Sequence, residues 1–210
     1  MQSNKPRGRP PRTFTEEARR TQLIDCAIQS LAELGYVKTS LAQIATRAAI
    51  STSVVSYYFA GKDDLLQTVL AAIYAHAASF MEQHISPTES AITLLQAYLA
   101  ANLAYGRDHP THVKAAAEIL THWQTEPDKL TSAPSTDASL FAPIEAILTW
   151  GQEQGVFRAF DPRPMAITIR AAIDQAFAAW LRDPSLDKDQ YSVELIALFD
   201  HATRRIDITD

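Results

Sequence analysis

Residues Thr39–Lys62 read TSLAQIATRAAISTSVVSYYFAGK, and they restrict the fold more tightly than any other stretch. Leu41, Ile44, Ala45 and Ala48 recur at helical spacing, and after a break at Ala49-Ile50-Ser51 so do Val55 and Phe59. Ser40 is placed as an N-cap with Gln43 as its capping-box partner, and Ser51 is placed to cap the second helix. The side chains left outside that second helix are Thr52, Ser53, Ser56 and Tyr57. Two short helices, a tight turn and an exposed hydroxyl-rich face make a helix-turn-helix of the kind that enters a DNA major groove.

The flanking sequence is helical throughout. Glu16 and Glu17 suit the first turn of a helix over 15–34, along which Leu23, Ile24, Ala27, Ile28, Leu31 and Leu34 repeat. Gly35 supplies its left-handed stop and Tyr36 packs back over its last turn. Asp63 and Asp64 open a long fourth helix. Ser86-Pro87-Thr88-Glu89 then predicts the start of a fifth, running to about Gly106. Further helices are expected over about 108–126, 139–154, 162–182 and 188–205, with a polar break over 127–136. The whole chain has only six glycines and no long alternating Val/Ile/Thr run. The expected fold is all-α with about nine helices. A basic arm over 1–14 and a helix-turn-helix domain over 15–62 precede an effector-binding and dimerisation domain over 63–210.

Charge separates along the same line. Residues 1–60 carry eight Lys/Arg and four acids, whereas the remainder carries 11 and 20, so a net of +4 stands against −9. A basic end on an acidic body orients a molecule on DNA; uneven surface charge is the plainer alternative. The arm contains Arg7-Gly8-Arg9-Pro10, similar to the AT-hook. Arg7 and Arg9 are therefore candidates for the minor groove of A·T-rich DNA, or for plain phosphate contact. No window of 18 apolar residues predicts a membrane span, and the basic start lacks the apolar segment of a secretory signal, so a cytoplasmic protein is expected. Cys26 is the single cysteine. It excludes an intrachain disulfide and a Cys-rich zinc site, and it reads as a buried structural thiol among Ile24, Ala27 and Ile28.

A helix that approaches base edges needs small or hydrogen-bonding side chains, which Thr52, Ser53 and Ser56 provide. Tyr57 adds a ring for a thymine methyl and a hydroxyl, while Thr39, Tyr58 and Lys62 flank the helix as phosphate contacts. For Tyr58 core packing is an equal alternative, and Phe59 is read as core.

From Gly35 to Leu66 the chain resembles the N-terminal domain of TetR-type (tetracycline-repressor-type) transcription regulators. The resemblance rests on Gly35-Tyr36, Thr39-Ser40-Leu41, Ile44-Ala45, Ala48, Ile50-Ser51, Tyr57-Tyr58-Phe59 and Lys62 with Leu65-Leu66. The S-x-S-x-V-S-Y-Y-F pattern is similar to the subgroup that includes choline-responsive repressors. The resemblance implies base reading by Thr52, Ser53, Ser56 and Tyr57, and backbone contacts by Thr39, Val54, Tyr58 and Lys62. Two residues depart from the pattern. Ala49 stands where the turn usually has glycine, and Val54 stands where a hydroxyl is common.

The resemblance also implies that the fourth to seventh helices enclose an effector pocket and that the last two pair with a second subunit. Tyr74, Tyr98, Asn102, Tyr105, Glu118, His122, Trp123, Phe141 and Trp150 are the pocket candidates; ordinary core packing is the alternative for each. Ile173, Phe177, Trp180, Tyr191, Leu195 and Phe199 are the dimer candidates, with burial inside one subunit as the alternative. Arg170 and Asp174, four apart, read as an ion pair.

No G-x-S-x-G, phosphate-cradling glycine loop or H-E-x-x-H occurs, so no enzyme activity is expected. His109 and His112 flank Pro110 and share no regular helical face. With His122 they do not make a convincing metal set, and neither a metal nor a cofactor is expected. The expected function is a ligand-responsive repressor that binds a pseudo-palindromic duplex as a homodimer and is released by a small-molecule effector. The alternative is an effector-independent all-α DNA-binding protein.

Overall fold

The computed structural model describes residues 14–123 and 137–205. The basic arm with Arg7 and Arg9, the polar break over 127–136 and the last five residues lie outside them. The described residues form nine α-helices: α1 Phe14–Lys38, α2 Leu41–Arg47, α3 Thr52–Tyr58, α4 Lys62–His84, α5 Ala91–Asp108, α6 Pro110–Trp123, α7 Asp137–Glu153, α8 Pro162–Arg182 and α9 Lys188–Thr203. The one extended pairing among them is an isolated bridge between Phe157 and Arg204. The all-α expectation holds.

Two hydrophobic cores divide the helices. The first gathers Leu23, Ile24, Ala27, Ile28 and Leu31 of α1, Ile44 and Ala45 of α2, Val55 of α3 and Leu65, Leu66, Val69, Leu70 and Ile73 of α4. It is closed by Ala115, Ile119 and Trp123 of α6. The second joins α5, α7, α8 and α9 around Leu95, Leu99, Leu103, Leu148, Ile169, Ile173 and Phe199. The division of the sequence at 62/63 therefore falls at the first residue of α4, whose opening turns are buried with the helix-turn-helix.

Most helix ends follow their caps. Ser40 accepts from Gln43 N, Asp161 from Arg163 N, and Asp187 from Asp189 N and Gln190 N. Two expected caps differ. Helix α5 begins at Ala91 under Ser90, not at Pro87, because Gln154, in the turn just after α7, accepts from Ala91 N at 3.1 Å and donates to the Glu89 carbonyl at 2.8 Å. Ser51 sits at the N-cap position of α3 with no cap bond. Its hydroxyl lies 2.8 Å from that of Ser53 instead.

Four of the six dimer candidates need correction. Ile173, Trp180, Leu195 and Phe199 are buried inside the subunit, with Phe177 and Tyr191 packed half-buried against the same core. The largest apolar side chains of α8 and α9 fill the subunit's own centre, where they remove the most surface from water. The large apolar side chains those helices leave exposed are Ile167, Val193 and Leu198.

Packing is closest where α7 meets the loop after it. A Cβ on Gly151 would lie 2.0 Å from the Phe157 ring, which is buried at 4% exposure and has no room to swing aside. Alanine would gain about 1 kcal/mol in helix propensity but overpack the contact at about 1–3 kcal/mol. Gly151→Ala should therefore lower unfolding stability by about 1–2 kcal/mol in a urea titration; a more stable variant would show that the ring moves freely.

Candidate nucleic-acid interface

Helix α2 ends in a Schellman turn. Ile50 N donates to the Ala45 carbonyl at 3.0 Å and Ala49 N to the Thr46 carbonyl at 3.1 Å. That motif requires a left-handed residue at its centre, and Ala49 adopts φ 55°, the only positive φ among the described non-glycine residues. The usual turn is thus kept without its glycine, at about 1 kcal/mol of backbone strain. Ile50 and Leu41 pack against the first core, which fixes the angle between α2 and α3.

Within α3, Val55 and the following Phe59 are buried at 0% and 1% exposure. Their burial turns Thr52, Ser53, Ser56 and Tyr57 outward, all four exposed. The Tyr57 hydroxyl donates to Glu16 Oε1 at 3.2 Å and its ring meets that of Tyr58 edge-on at 5.1 Å. Tyr58 and Val54 are half-buried, with Tyr58 against the core as its packing alternative foresaw. The outer face of α3 can therefore donate and accept hydrogen bonds along one stripe while its inner face is locked.

Thr39 is corrected. It is 1% exposed and its hydroxyl donates to the Gly35 carbonyl at 2.8 Å, so it fastens the α1–α2 corner and offers no donor to a phosphate. Lys62 lies at the same corner. Its Nζ donates to the Tyr36 carbonyl at 2.7 Å and sits 4.0 Å from the centre of the Tyr36 ring. Tyr36 N donates to Glu118 Oε2 of α6 at 2.8 Å, and the His122 ring stacks on the Tyr36 ring at 4.2 Å. Gly35 is required beneath this grip. Its φ 79°, ψ 170° belongs to glycine, and a Cβ there would approach the Glu118 carboxylate at 3.2 Å. The backbone therefore breaks here as expected, but into an extended glycine-only conformation and not into a helical left-handed one.

This corner redistributes the pocket candidates. Glu118 and His122 hold Tyr36, and Trp123 is buried at 0% exposure in the first core with Tyr74 at its margin. Tyr105 is buried, its hydroxyl 3.0 Å from His112 Nδ1, and burial pushes its pKa up to about 12. Tyr98, Phe141 and Trp150 pack on the second core. Asn102 beside them donates to the Tyr98 carbonyl at 2.9 Å and accepts from Arg170 at 3.4 Å. Asn102 thus has protein partners and needs no ligand to satisfy it. Of the nine residues, Glu118 and His122 line a cleft between α6 and α8, while Trp123 is taken up by the first core and Tyr98, Phe141 and Trp150 by the second.

Two surface clefts stand out among the described residues. One, of about 510 Å³, is lined by Gln152, Gly155, Phe157, Arg158, Ala159, Phe160 and Arg205. The other, of about 320 Å³, lies between α6 and α8 and is lined by Lys114, Ala117, Glu118, Thr121, His122, Ala178, Leu181 and Arg182. The predicted pair Arg170–Asp174 forms, and Arg170 also stands 5.9 Å from the centre of the Phe177 ring. Cys26 is half-buried at the edge of the first core, and burial raises its thiol pKa, which suits a structural role.

A family model described as "Bacterial regulatory proteins, tetR family" matches residues 23–69, the segment that holds α2, the Ala49 turn and α3. Residues 23–69 are thus of the TetR type. It is 37% identical over 93 residues to the HTH-type transcriptional regulator BetI of Burkholderia ambifaria, a match covering 44% of this chain and 48% of the relative. The chain thus spans about half the length of the curated relatives it matches. The whole fold is similar to a putative TetR-family transcriptional regulator from Rhodococcus sp., with TM-score 0.77, 20% identity and coverage of 88% of this chain and 98% of that one. It is also similar to a putative transcriptional regulator from Saccharomonospora viridis in complex with choline, with TM-score 0.75, 22% identity and coverage of 90% and 99%. These relatives are transcription regulators and not enzymes. No described helix of the chain is long and apolar enough to cross a membrane.

Two substitutions probe this region. Ala49→Gly should relieve the left-handed strain and raise unfolding stability by about 0.5–1 kcal/mol, since strain relief exceeds the added entropy of the unfolded chain. Glu118→Ala should remove the charged acceptor of Tyr36 N–H and lower stability by about 1–3 kcal/mol. Urea titrations in which both variants matched the wild type would contradict the geometry of the turn and of the corner.

Proposed function

We propose that this chain is a ligand-responsive transcriptional regulator that binds a pseudo-palindromic duplex as a homodimer and acts as a repressor released by a small molecule. The observation that carries the reading is the outward stripe of Thr52, Ser53, Ser56 and Tyr57 on a recognition helix locked from behind by Val55 and Phe59. Base edges in the major groove are read by such side chains at hydrogen-bonding range. Tyr58, Val54 and Lys62 border the stripe, where phosphates would lie. Lys62 meets one while still gripping Tyr36, because an ammonium has three donors. Arg7 and Arg9 would add minor-groove or phosphate contacts from the arm.

The dimer is proposed to form through the exposed side of α8 and α9, carried by Ile167, Val193 and Leu198, and not through the buried residues of those helices. Two copies would set their α3 helices about one DNA turn, or a multiple, apart. The effector is proposed to enter the α6–α8 cleft. Glu118 and His122 line that cleft and also hold Tyr36, so a ligand that draws on either side chain disturbs the seat of the DNA-binding head. A ligand shifts the balance only through a difference in affinity for the two head positions. The choline in the Saccharomonospora viridis regulator makes choline the first compound to try. An effector-independent DNA-binding protein remains the second reading, favoured by the satisfied side chains of Asn102 and Tyr105 in the body.

Selection of bound duplexes from a random pool tests the reading. The expected result is a two-fold site. On it, Ser56→Ala and Tyr57→Ala should each cost about 1–3 kcal/mol at particular base pairs, with little change on random duplex. Equal loss on selected and random DNA would contradict base reading. Leu198→Asp with Val193→Asp should give monomers in sedimentation at micromolar concentration and weaken selected-duplex binding; an unchanged dimer would move the interface elsewhere.

A further inference from the structure

His76, His109 and His112 come together away from the outer face of α3 and from the α6–α8 cleft. His76 belongs to the exposed side of α4, His109 is the C-cap of α5, and His112 lies in the first turn of α6. Their ring centroids are 4.7 Å apart for His76 and His109, 4.8 Å for His76 and His112, and 5.6 Å for His109 and His112. One ring nitrogen of each lies within 4.8 Å of the others. His109 and His112 share no regular helical face in the sequence. The chain turns between them from the end of α5 into α6, and that turn aims both rings at α4. His122, the third histidine of the sequence-based set, lies elsewhere, stacked on Tyr36. His76 takes its place.

The surroundings order at least one of these rings. The Tyr105 hydroxyl lies 3.4 Å from the Ile73 carbonyl and 3.0 Å from His112 Nδ1; when it donates its one proton to the carbonyl, its oxygen accepts from a protonated His112 Nδ1. That tautomer leaves the Nε2 lone pair of His112 for another partner. A ring nitrogen held in this way is the usual outer arrangement of a metal-binding histidine. Metal–nitrogen bonds of about 2.0–2.1 Å in a tetrahedral site set nitrogens about 3.3 Å apart. Closing the cluster therefore requires nitrogen–nitrogen separations to shorten by up to about 1.5 Å, which small rotations of the His76 and His109 side chains supply.

We propose that His76, His109 and His112 form a binding site for a divalent transition metal of the zinc, cobalt and nickel class. Three imidazoles suit such borderline ions, whereas magnesium and calcium prefer oxygen donors. With three protein ligands, the remaining coordination position is left to water or to a donor atom of another molecule. An ion bound there ties α4, which starts directly behind α3, to the α5–α6 corner. This site stands apart from the DNA-binding reading and does not rest on it.

The test uses the full chain without an affinity tag and Co2+ alone as probe, followed by its visible absorption. One Co2+ per chain, displaced by Zn2+, is expected. His76→Ala should weaken uptake by about tenfold or more, a ligand being worth at least as much as an outer-shell partner. His112→Ala should do the same with its helical circular dichroism retained, and His201→Ala, on the exposed side of α9, should not change uptake. Because His76 is exposed, its variant keeps the core and reports even if His112→Ala does not fold. Absence of saturable uptake, or uptake unchanged in His76→Ala, would overturn the proposal and leave the cluster as aromatic packing with Phe80 and Tyr105.

Discussion

The grip on Gly35-Tyr36 is the contact on which the rest of the arrangement depends. Three elements hold one peptide corner. The Glu118 carboxylate of α6 accepts from Tyr36 N, Lys62 of α4 donates to its carbonyl, and Thr39 at the entrance to α2 donates to the Gly35 carbonyl. His122 stacks on the ring and Lys62 caps it. A backbone N–H held by a carboxylate is among the stronger kinds of hydrogen bond, and losing one partner leaves the other unsatisfied. The direction in which the chain leaves α1, and with it the placement of α2 and α3, follows from this corner. Only glycine can supply the conformation beneath it.

The two cores give the corner its consequence. Helix α6 is part of the head's core through Ala115, Ile119 and Trp123, and it also borders α8 across the 320 Å³ cleft. The head is therefore seated on the body partly through α6, whose polar side chains face two ways, and partly through the packing of α4 on α5. A molecule that competes for Glu118 or His122 acts on the same groups that orient the proposed reading stripe. Such coupling needs no long pathway, since the shared residues belong to both places at once.

Much of the head was legible in the sequence, because it is built from short-range signals. The Ser40 cap, the break at Gly35, the turn at Ala49 and the inward Val55 and Phe59 each follow from spacing within a few residues. Thr39 was misread because a hydroxyl near a recognition helix suits both a phosphate and a backbone carbonyl, and only burial decides between them. In the body the elements were legible but their pairings were not. Pro87 looked like a helix start until Gln154, distant in sequence, took the backbone of 89–91. Phe199 and Trp180 looked like interface because large apolar residues on the last two helices serve either role; the subunit's own centre claimed them. His76 carried no local signal at all, since its partners lie on other helices.

Amide hydrogen exchange at Tyr36 tests the central claim most directly. The account predicts that this amide is strongly protected in the wild type, and that Glu118→Ala exposes it to exchange while the amides of Leu99 and Ile169 in the second core keep their protection. A Tyr36 amide that exchanges as fast as an exposed loop amide in the wild type, or one whose protection survives the loss of the carboxylate, would contradict the account that Glu118 seats the head on the body.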